Sequence, residues 1–258
     1  MRTVLAVGGS DSGGGAGVQA DIKALHAVGV HACTAVTAVT AQDTAAVRGI
    51  WPVPTEVLRA QLQAVLDDIG ADVVKTGMLP SAAAVAAVAD AIGELPLVVD
   101  PVGVSSTGQQ LASREALDAL RVLLLPQALL VTPNLAEVAA LTGVAVEGAE
   151  DLEEAALAVL ALGPRWVLVT GGHLPGDPVD LLHDGTTALV LHGRRVPTPH
   201  THGTGCTLAA ALAGHLALGA DVPTAARRAK ALVTGALERG YPLGRGPGPV
   251  SALPTSPV

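Results

Sequence analysis

The densest chemistry in the chain lies in His202-Gly203-Thr204-Gly205-Cys206-Thr207, just ahead of an Ala/Leu-rich run. Glycines let the backbone approach a ligand, and the N–H groups of a first helical turn favour an anion. A cysteine at a helix start has its thiolate stabilised. Read so, Gly203, Thr204, Gly205 and Cys206 combine an anion cradle with a potential base. The plainer reading is a small cysteine packed into a tight glycine turn. A second cluster is Thr132-Pro133-Asn134-Leu135-Ala136-Glu137. Asn134 and Glu137 stand three apart at a helix start and share a face. An amide with a carboxylate suits Mg²⁺ and its waters, and the same spacing also makes a capping box. Asp100 closes an apolar run before Pro101-Val102, where a carboxylate organises a metal or phosphate, or caps a turn. Lys75-Thr76-Gly77-Met78 closes another. There Lys75 can reach a phosphate and Met78 can pack on a ring.

The glycine-rich stretch from Gly8 to Gly17 contains Ser10 and Asp11, follows a strand-like run and opens a helix. It lacks the Lys-Ser/Thr of a Walker loop. Val18 stands where a dinucleotide fingerprint needs Gly or Ala. Its polar residues at a strand end still predict a ligand loop rather than a bare turn.

These clusters need elements to hold them. Short Val/Leu-rich runs predict strands at 4–7, 32–40, 73–76, 97–100, 128–132, 167–170, 179–183 and 188–192, without the clean alternation of half-exposed strands. The last two flank Asp184-Gly185-Thr186, a hairpin turn and the antiparallel exception. Helical patterns fall at 17–28, 55–69, 81–92, 113–124, 136–142, 151–162, 204–218 and 221–238, with Ser113 and Asp221 as N-caps. The alternation predicts an α/β fold, a mostly parallel central sheet with helices on both faces. In such a sheet ligands bind beyond the C-terminal strand ends. No linker divides residues 1–258, so a single domain is expected, with an irregular Pro/Gly-rich tail from about Pro242.

Composition excludes other classes. The chain has 258 residues, a net charge of −8 and half its residues hydrophobic, which excludes disorder. Its aromatics are Trp51, Trp166 and Tyr241 alone, too few for base stacking, and the acidic balance argues against nucleic acid. Cys33 and Cys206 make no disulfide framework, so a reducing cytoplasm is expected. No membrane partner is expected either. The longest stretch without Asp, Glu, Lys or Arg, from Val196 to Ala220, is broken by histidines, prolines and glycines.

Taken in order, the clusters resemble the ribokinase superfamily, and within it the hydroxymethylpyrimidine/phosphomethylpyrimidine kinases of thiamine biosynthesis. The matching segments are GSDSGGGAGVQADIK, TAVTAQDT, VKTGML, VVDPV, LLPQALLVTPNLAEVAAL, TGGH, THGTGCTLAAALA and GPGPV, spanning residue 4 to about 250. The resemblance implies a ribokinase-like fold and an ATP-dependent kinase. It would phosphorylate 4-amino-5-hydroxymethyl-2-methylpyrimidine, then convert the monophosphate to the diphosphate. By the same resemblance Gln42, Asp21, Gly9, Met78 and Val102 bind the pyrimidine. Gly203 to Cys206 form the anion hole, with Cys206 the base. Asn134, Glu137 (through water) and Asp100 serve Mg²⁺, and Lys75, Asp100, Asn134, Thr170 and Gly172 serve ATP. A homodimer is implied too. The chain departs from the family at Thr170 and Ser106, where many members have lysine, and at Ser251-Ala252. Two rivals stand beside this reading: a pyridoxal/pyridoxine kinase, and a non-catalytic pyrimidine sensor.

Overall fold

The computed structural model describes residues 1–103 and 109–252. Ser106, one of the two missing family lysines, lies outside the described residues. Nine strands form one sheet in the order β3-β2-β1-β4-β5-β6-β7-β8-β9. They are β1 (Thr3–Asp11), β2 (His31–Gln42), β3 (Val47–Pro52), β4 (Val73–Thr76), β5 (Leu97–Val99), β6 (Leu130–Val131), β7 (Trp166–Thr170), β8 (Val179–His183) and β9 (Ala188–His192). Strands β2, β1, β4, β5, β6 and β7 run parallel, while β3, β8 and β9 pair antiparallel. The expected hairpin forms between β8 and β9, where Asp184 Oδ1 accepts from the N–H groups of Thr186 and Thr187.

The helices are α1 (Gly17–Val28), α2 (Thr55–Asp68), α3 (Ala82–Ile92), α4 (Arg114–Ala119), α5 (Leu135–Thr142), α6 (Leu152–Leu160), α7 (Thr204–Ala217) and α8 (Val222–Glu238). Ser113 and Asp221 cap α4 and α8 as expected, accepting from Ala116 N–H and Thr224 N–H.

Side-chain alternation along each strand feeds two cores. Leu5, Val7, Val74, Leu97, Val99, Val131, Val167 and Val169 pack under α2, α3, α5 and α6. Val4, Ala6, Val73, Val98, Leu130, Leu168 and Leu182 face α1, α7 and α8. Ala209, Ala210, Ala211 and Ala213 on α7 are fully buried there. Such short side chains let helices approach closely, which suits a chain with no phenylalanine.

Three expectations change. Strand β3 was not foreseen, because Val47–Pro52 carries Arg48, Gly49 and Pro52, residues poor in strand propensity. It is tolerated as the edge of the sheet, where a proline lacks no ladder partner. The predicted helix 113–124 is α-helical only to Ala119, then continues as a π turn over Leu120–Leu124 and a 3₁₀ turn over Leu125–Gln127. Pro126 cannot donate to a helical ladder, so the α-helix cannot run through it. The strand expected at 128–132 shortens to Leu130–Val131.

Candidate active site

The parallel strands deliver Asp11, Gln42, Thr76, Asp100, Thr132 and Thr170 at or just past their C-terminal ends, along one edge of the sheet. On the β1–β2 side the Gly-rich loop folds around Asp11. Its Oδ1 accepts from Gly13 N–H at 2.8 Å, and its Oδ2 from Gly15 N–H at 3.0 Å and Ala16 N–H at 2.8 Å. These loop N–H groups are therefore taken by a carboxylate of the loop itself. Within the loop expected to hold a ligand, Asp11 is the residue that organises the backbone. His202 Nε2 meets the same Oδ2 at 3.0 Å. Burial raises the Asp11 pKa, but the bonds from His202, Ala16 and Gly13 outweigh it and leave the carboxyl below its usual value.

Met78 lies over Gly9, where a Cβ would stand 2.9 Å from its Sδ. Gln42 Nε2 sits 3.4 Å from His202 Nε2, and Gln42 N–H donates to Ser12 Oγ at 2.8 Å. Val102 and Gly77 line a cavity of about 10 Å³, about the room of one water. Gly9, Gln42, Met78 and Val102 thus gather around the strand ends expected to hold the pyrimidine.

Beneath them lies a charge cluster. Lys75 shares its strand face with Val73, the face toward α1, and there it meets Asp21. Its Nζ donates to Asp21 Oδ1 at 2.8 Å and Oδ2 at 3.1 Å, and stands 3.9 Å from Asp100 Oδ2. Lys75 is 1 % exposed. Burial works against its charge, but Asp21, Cys206 and Asp100 prevail and hold it above its usual value. Burial pushes the Asp21 carboxyl up while the ammonium pulls it down. Burial prevails and leaves Asp21 above its ordinary value, with both of its oxygens against the ammonium. Lys75 and Asp21 therefore occupy each other, whereas the sequence reading gave one to phosphate and the other to the pyrimidine.

Gly203 directly precedes α7, with a φ of +83° and a position at which a Cβ would fall 1.9 Å from Gly15 O. No side chain caps α7. The N–H groups of Gly205 and Cys206 are thus left to an anion placed before the helix. Cys206 keeps some exposed surface, but burial of its sulfur pushes the thiol up to about 12. Lys75 pulls it down, Asp100 and Asp21 push it further up, and a bond with the Gly17 backbone pulls down. The expectation of a lowered pKa is corrected: burial beside two carboxylates raises it. A helix N-terminus is worth a few tenths to ~1 kcal/mol, less than desolvation beside two carboxylates.

On the β6–β7 side the capping box forms. Asn134 Oδ1 accepts from Glu137 N–H at 3.0 Å, and Glu137 Oε2 from Asn134 N–H at 2.9 Å. Burial and the facing Asp100 charge push Glu137 up to about 8. Asp100 itself is raised to about 6, first by burial and, against the pull of Lys75, by Asp21. Asp100 Oδ2 is buried without a hydrogen-bond partner. Two buried carboxylates that repel each other, one with an orphaned oxygen, fit a hard divalent cation. Among the described residues no group of three or more His, Cys, Asp or Glu could enclose a metal. A cation here draws its remaining ligands from water and phosphate oxygens, as Mg²⁺ commonly does. Thr170 joins this side, its N–H bonded to Pro133 O at 2.9 Å in a bridge to Asn134, with Gly172 two residues on in open space.

The sequence profile of one family, described as phosphomethylpyrimidine kinase, matches residues 11–251. This chain belongs to that family. It is 56% identical over 249 residues to a hydroxymethylpyrimidine/phosphomethylpyrimidine kinase of Streptomyces coelicolor, covering 96% of this chain and 93% of the relative. A thiamine biosynthesis bifunctional protein ThiED of Geobacter sulfurreducens is 47% identical over 97% of this chain, which matches 52% of that protein. Among solved structures, a Bacillus subtilis pyridoxal kinase in complex with ADP superposes with a TM-score of 0.92 at 40% identity, covering 98% and 97% of the two chains. The kinase is accordingly a phosphotransferase that uses ATP, built on the ribokinase-like fold.

Sequence reasoning missed one further buried pair in the kinase. Asp180 Oδ1 accepts from Gly171 N–H at 3.0 Å, and Asp180 Oδ2 from Lys230 Nζ at 2.6 Å. This fixes the glycine turn after β7. The signal was available: Asp180 shares a β8 face with the core residue Leu182 only if a partner cation is buried with it.

Proposed function

We propose that this kinase transfers the γ-phosphoryl group of ATP to the hydroxymethyl group of 4-amino-5-hydroxymethyl-2-methylpyrimidine, then to the resulting monophosphate, in thiamine biosynthesis. What carries the reading is the family match over residues 11–251, supported by relatives bearing that name over nearly the whole chain. Gly9, Gln42, Met78 and Val102 line the acceptor site. The N–H groups of Gly205 and Cys206 receive charge developing on the transferred phosphoryl oxygens. Asp100 and, through water, Glu137 and Asn134 would hold Mg²⁺. Bound there, the ion neutralises polyphosphate charge. Gly172 and Thr170 border the nucleotide, and Lys75 acts on the phosphates through its field rather than by contact, since Asp21 engages it directly. Cys206 takes the alcohol proton in the first step as a thiolate; its own proton, held first by burial and then by Asp100 and Asp21, would pass to solvent once a bound Mg²⁺ offsets those carboxylates. The chain works as a single domain, in homodimers, in the cytoplasm. No described helix is long and apolar enough to cross a membrane.

A second reading is pyridoxal as acceptor, supported by the structural match to the Bacillus subtilis pyridoxal kinase. A panel of hydroxymethylpyrimidine, its monophosphate and pyridoxal, each with ATP and Mg²⁺, tests both. Turnover of the first two supports the proposal; turnover of pyridoxal alone replaces it.

A further inference from the structure

We propose that Asp11 and His202 form a positioning pair that seats the anion-hole turn against the acceptor loop. The inference rests on the kinase reading above. Asp11 is 3% exposed and His202 9%, and the bond joins residues 191 apart in sequence. Asp11 Oδ2 already takes two loop N–H groups, and the His202 ring supplies its third donor. An ionised carboxylate with donors on both oxygens has little capacity left as a catalytic base, so its geometry is that of an anchor.

His202 directly precedes the two glycines and the helix start of the anion hole. Its own backbone is bracketed, its N–H donating to Gly248 O at 3.2 Å and its carbonyl accepting from Val250 N–H at 3.1 Å. The ring presses on Gly15, where a Cβ would meet His202 Cδ2 at 2.3 Å. Gly203 in turn presses on Gly15 O. Loop and turn therefore interlock, with the Asp11–His202 bond at the centre. Displacing the ring moves the acceptor loop and the first N–H groups of α7 relative to each other. Small misplacements of reacting groups are costly in rate.

The test compares wild type, His202→Leu and His202→Gln, whose amide N–H can reach the same carboxylate. Steady-state kinetics on the hydroxymethylpyrimidine and its monophosphate are measured beside melting temperatures. The expected result is a loss of at least tenfold in kcat for both steps in His202→Leu, with the KM for ATP within about twofold. His202→Gln restores most of the rate. A kcat within threefold of wild type in His202→Leu overturns the proposal. So does an equal loss in both variants that tracks their melting temperatures. If His202→Leu does not fold, His202→Gln decides alone: near-normal rates support the pair, and a tenfold loss with unchanged melting overturns it. Wild type turning over only pyridoxal sinks the acceptor assignment but not the pair, and the same readouts are then taken with pyridoxal.

Discussion

The two sides of the site are held in different ways. On the acceptor side each key residue has a partner far along the chain: Asp11 meets His202, Lys75 meets Asp21, and the Gly203 backbone packs on Gly15 O. On the nucleotide side Asn134 and Glu137 fix each other within one helical turn, while Thr170 N–H reaches Pro133 O across 37 residues. The acceptor side is thus preorganised by tertiary contacts, while the nucleotide side keeps unbalanced negative charge for a cation to satisfy. Damage on the first side should cost rate or folding; damage on the second should appear as altered metal and ATP dependence.

The largest expected effect is at Cys206. The first acceptor is a neutral alcohol, which loses a proton as it attacks. The second is a phosphate oxygen, largely ionised at neutral pH because its second pKa is near about 6. A general base is worth roughly 10²–10⁴-fold, so Cys206→Ala should slow the alcohol step by about that factor and the monophosphate step far less. Single-turnover rates for both steps check this, and equal losses would make Cys206 a loop-shaping residue.

Next comes Lys75→Met, which strands Asp21 and Asp100 in the core. Removing one partner of a buried pair costs about 3–5 kcal/mol. Denaturant unfolding should show a loss of that order, and Lys75→Met with Asp21→Asn should recover most of it. A loss no smaller in the double variant would mean that packing of the lysine stem, not charge, matters.

Glu137→Gln separates cap from cation site. Its amide oxygen can still accept from Asn134 N–H, so the capping box survives. Glu137 has a folded pKa of about 8, above its ordinary 4.5. The folded state then holds a proton that the unfolded state has released. Without Mg²⁺, wild-type stability should therefore be full below about pH 4.5 and fall as pH rises toward about 8. The variant should lose less over that window, and its activity should need more Mg²⁺. Thermal melts across pH, with and without Mg²⁺, read both. Unchanged metal dependence with a steeper loss of stability would leave Glu137 a cap alone.

The smallest effect is expected from Thr170→Lys. One charge-assisted contact to a phosphate is worth on the order of 1–3 kcal/mol before desolvation. The KM for ATP should fall several-fold while pyrimidine binding stays put. No change would place the phosphates away from Thr170.

The same contrast explains what was legible beforehand. Val/Leu runs and helical periodicity located most strands and helices, since burial on both faces of a parallel sheet demands them. Local spacing set the Asn134–Glu137 geometry, because residues three apart on a helix must meet. Family-ordered segments pointed to the kinase chemistry. The sequence could not say that Lys75 is taken by Asp21, that Asp11 belongs to His202, or that Asp180 with Lys230 fixes the turn at Gly171. Those pairs are made by strand order and helix docking, which bring together residues 50 to 191 apart. The Cys206 thiol shows the same limit. Its place at a helix start favours the thiolate, but burial beside Asp100 and Asp21 disfavours it more, and that balance exists only in the folded protein.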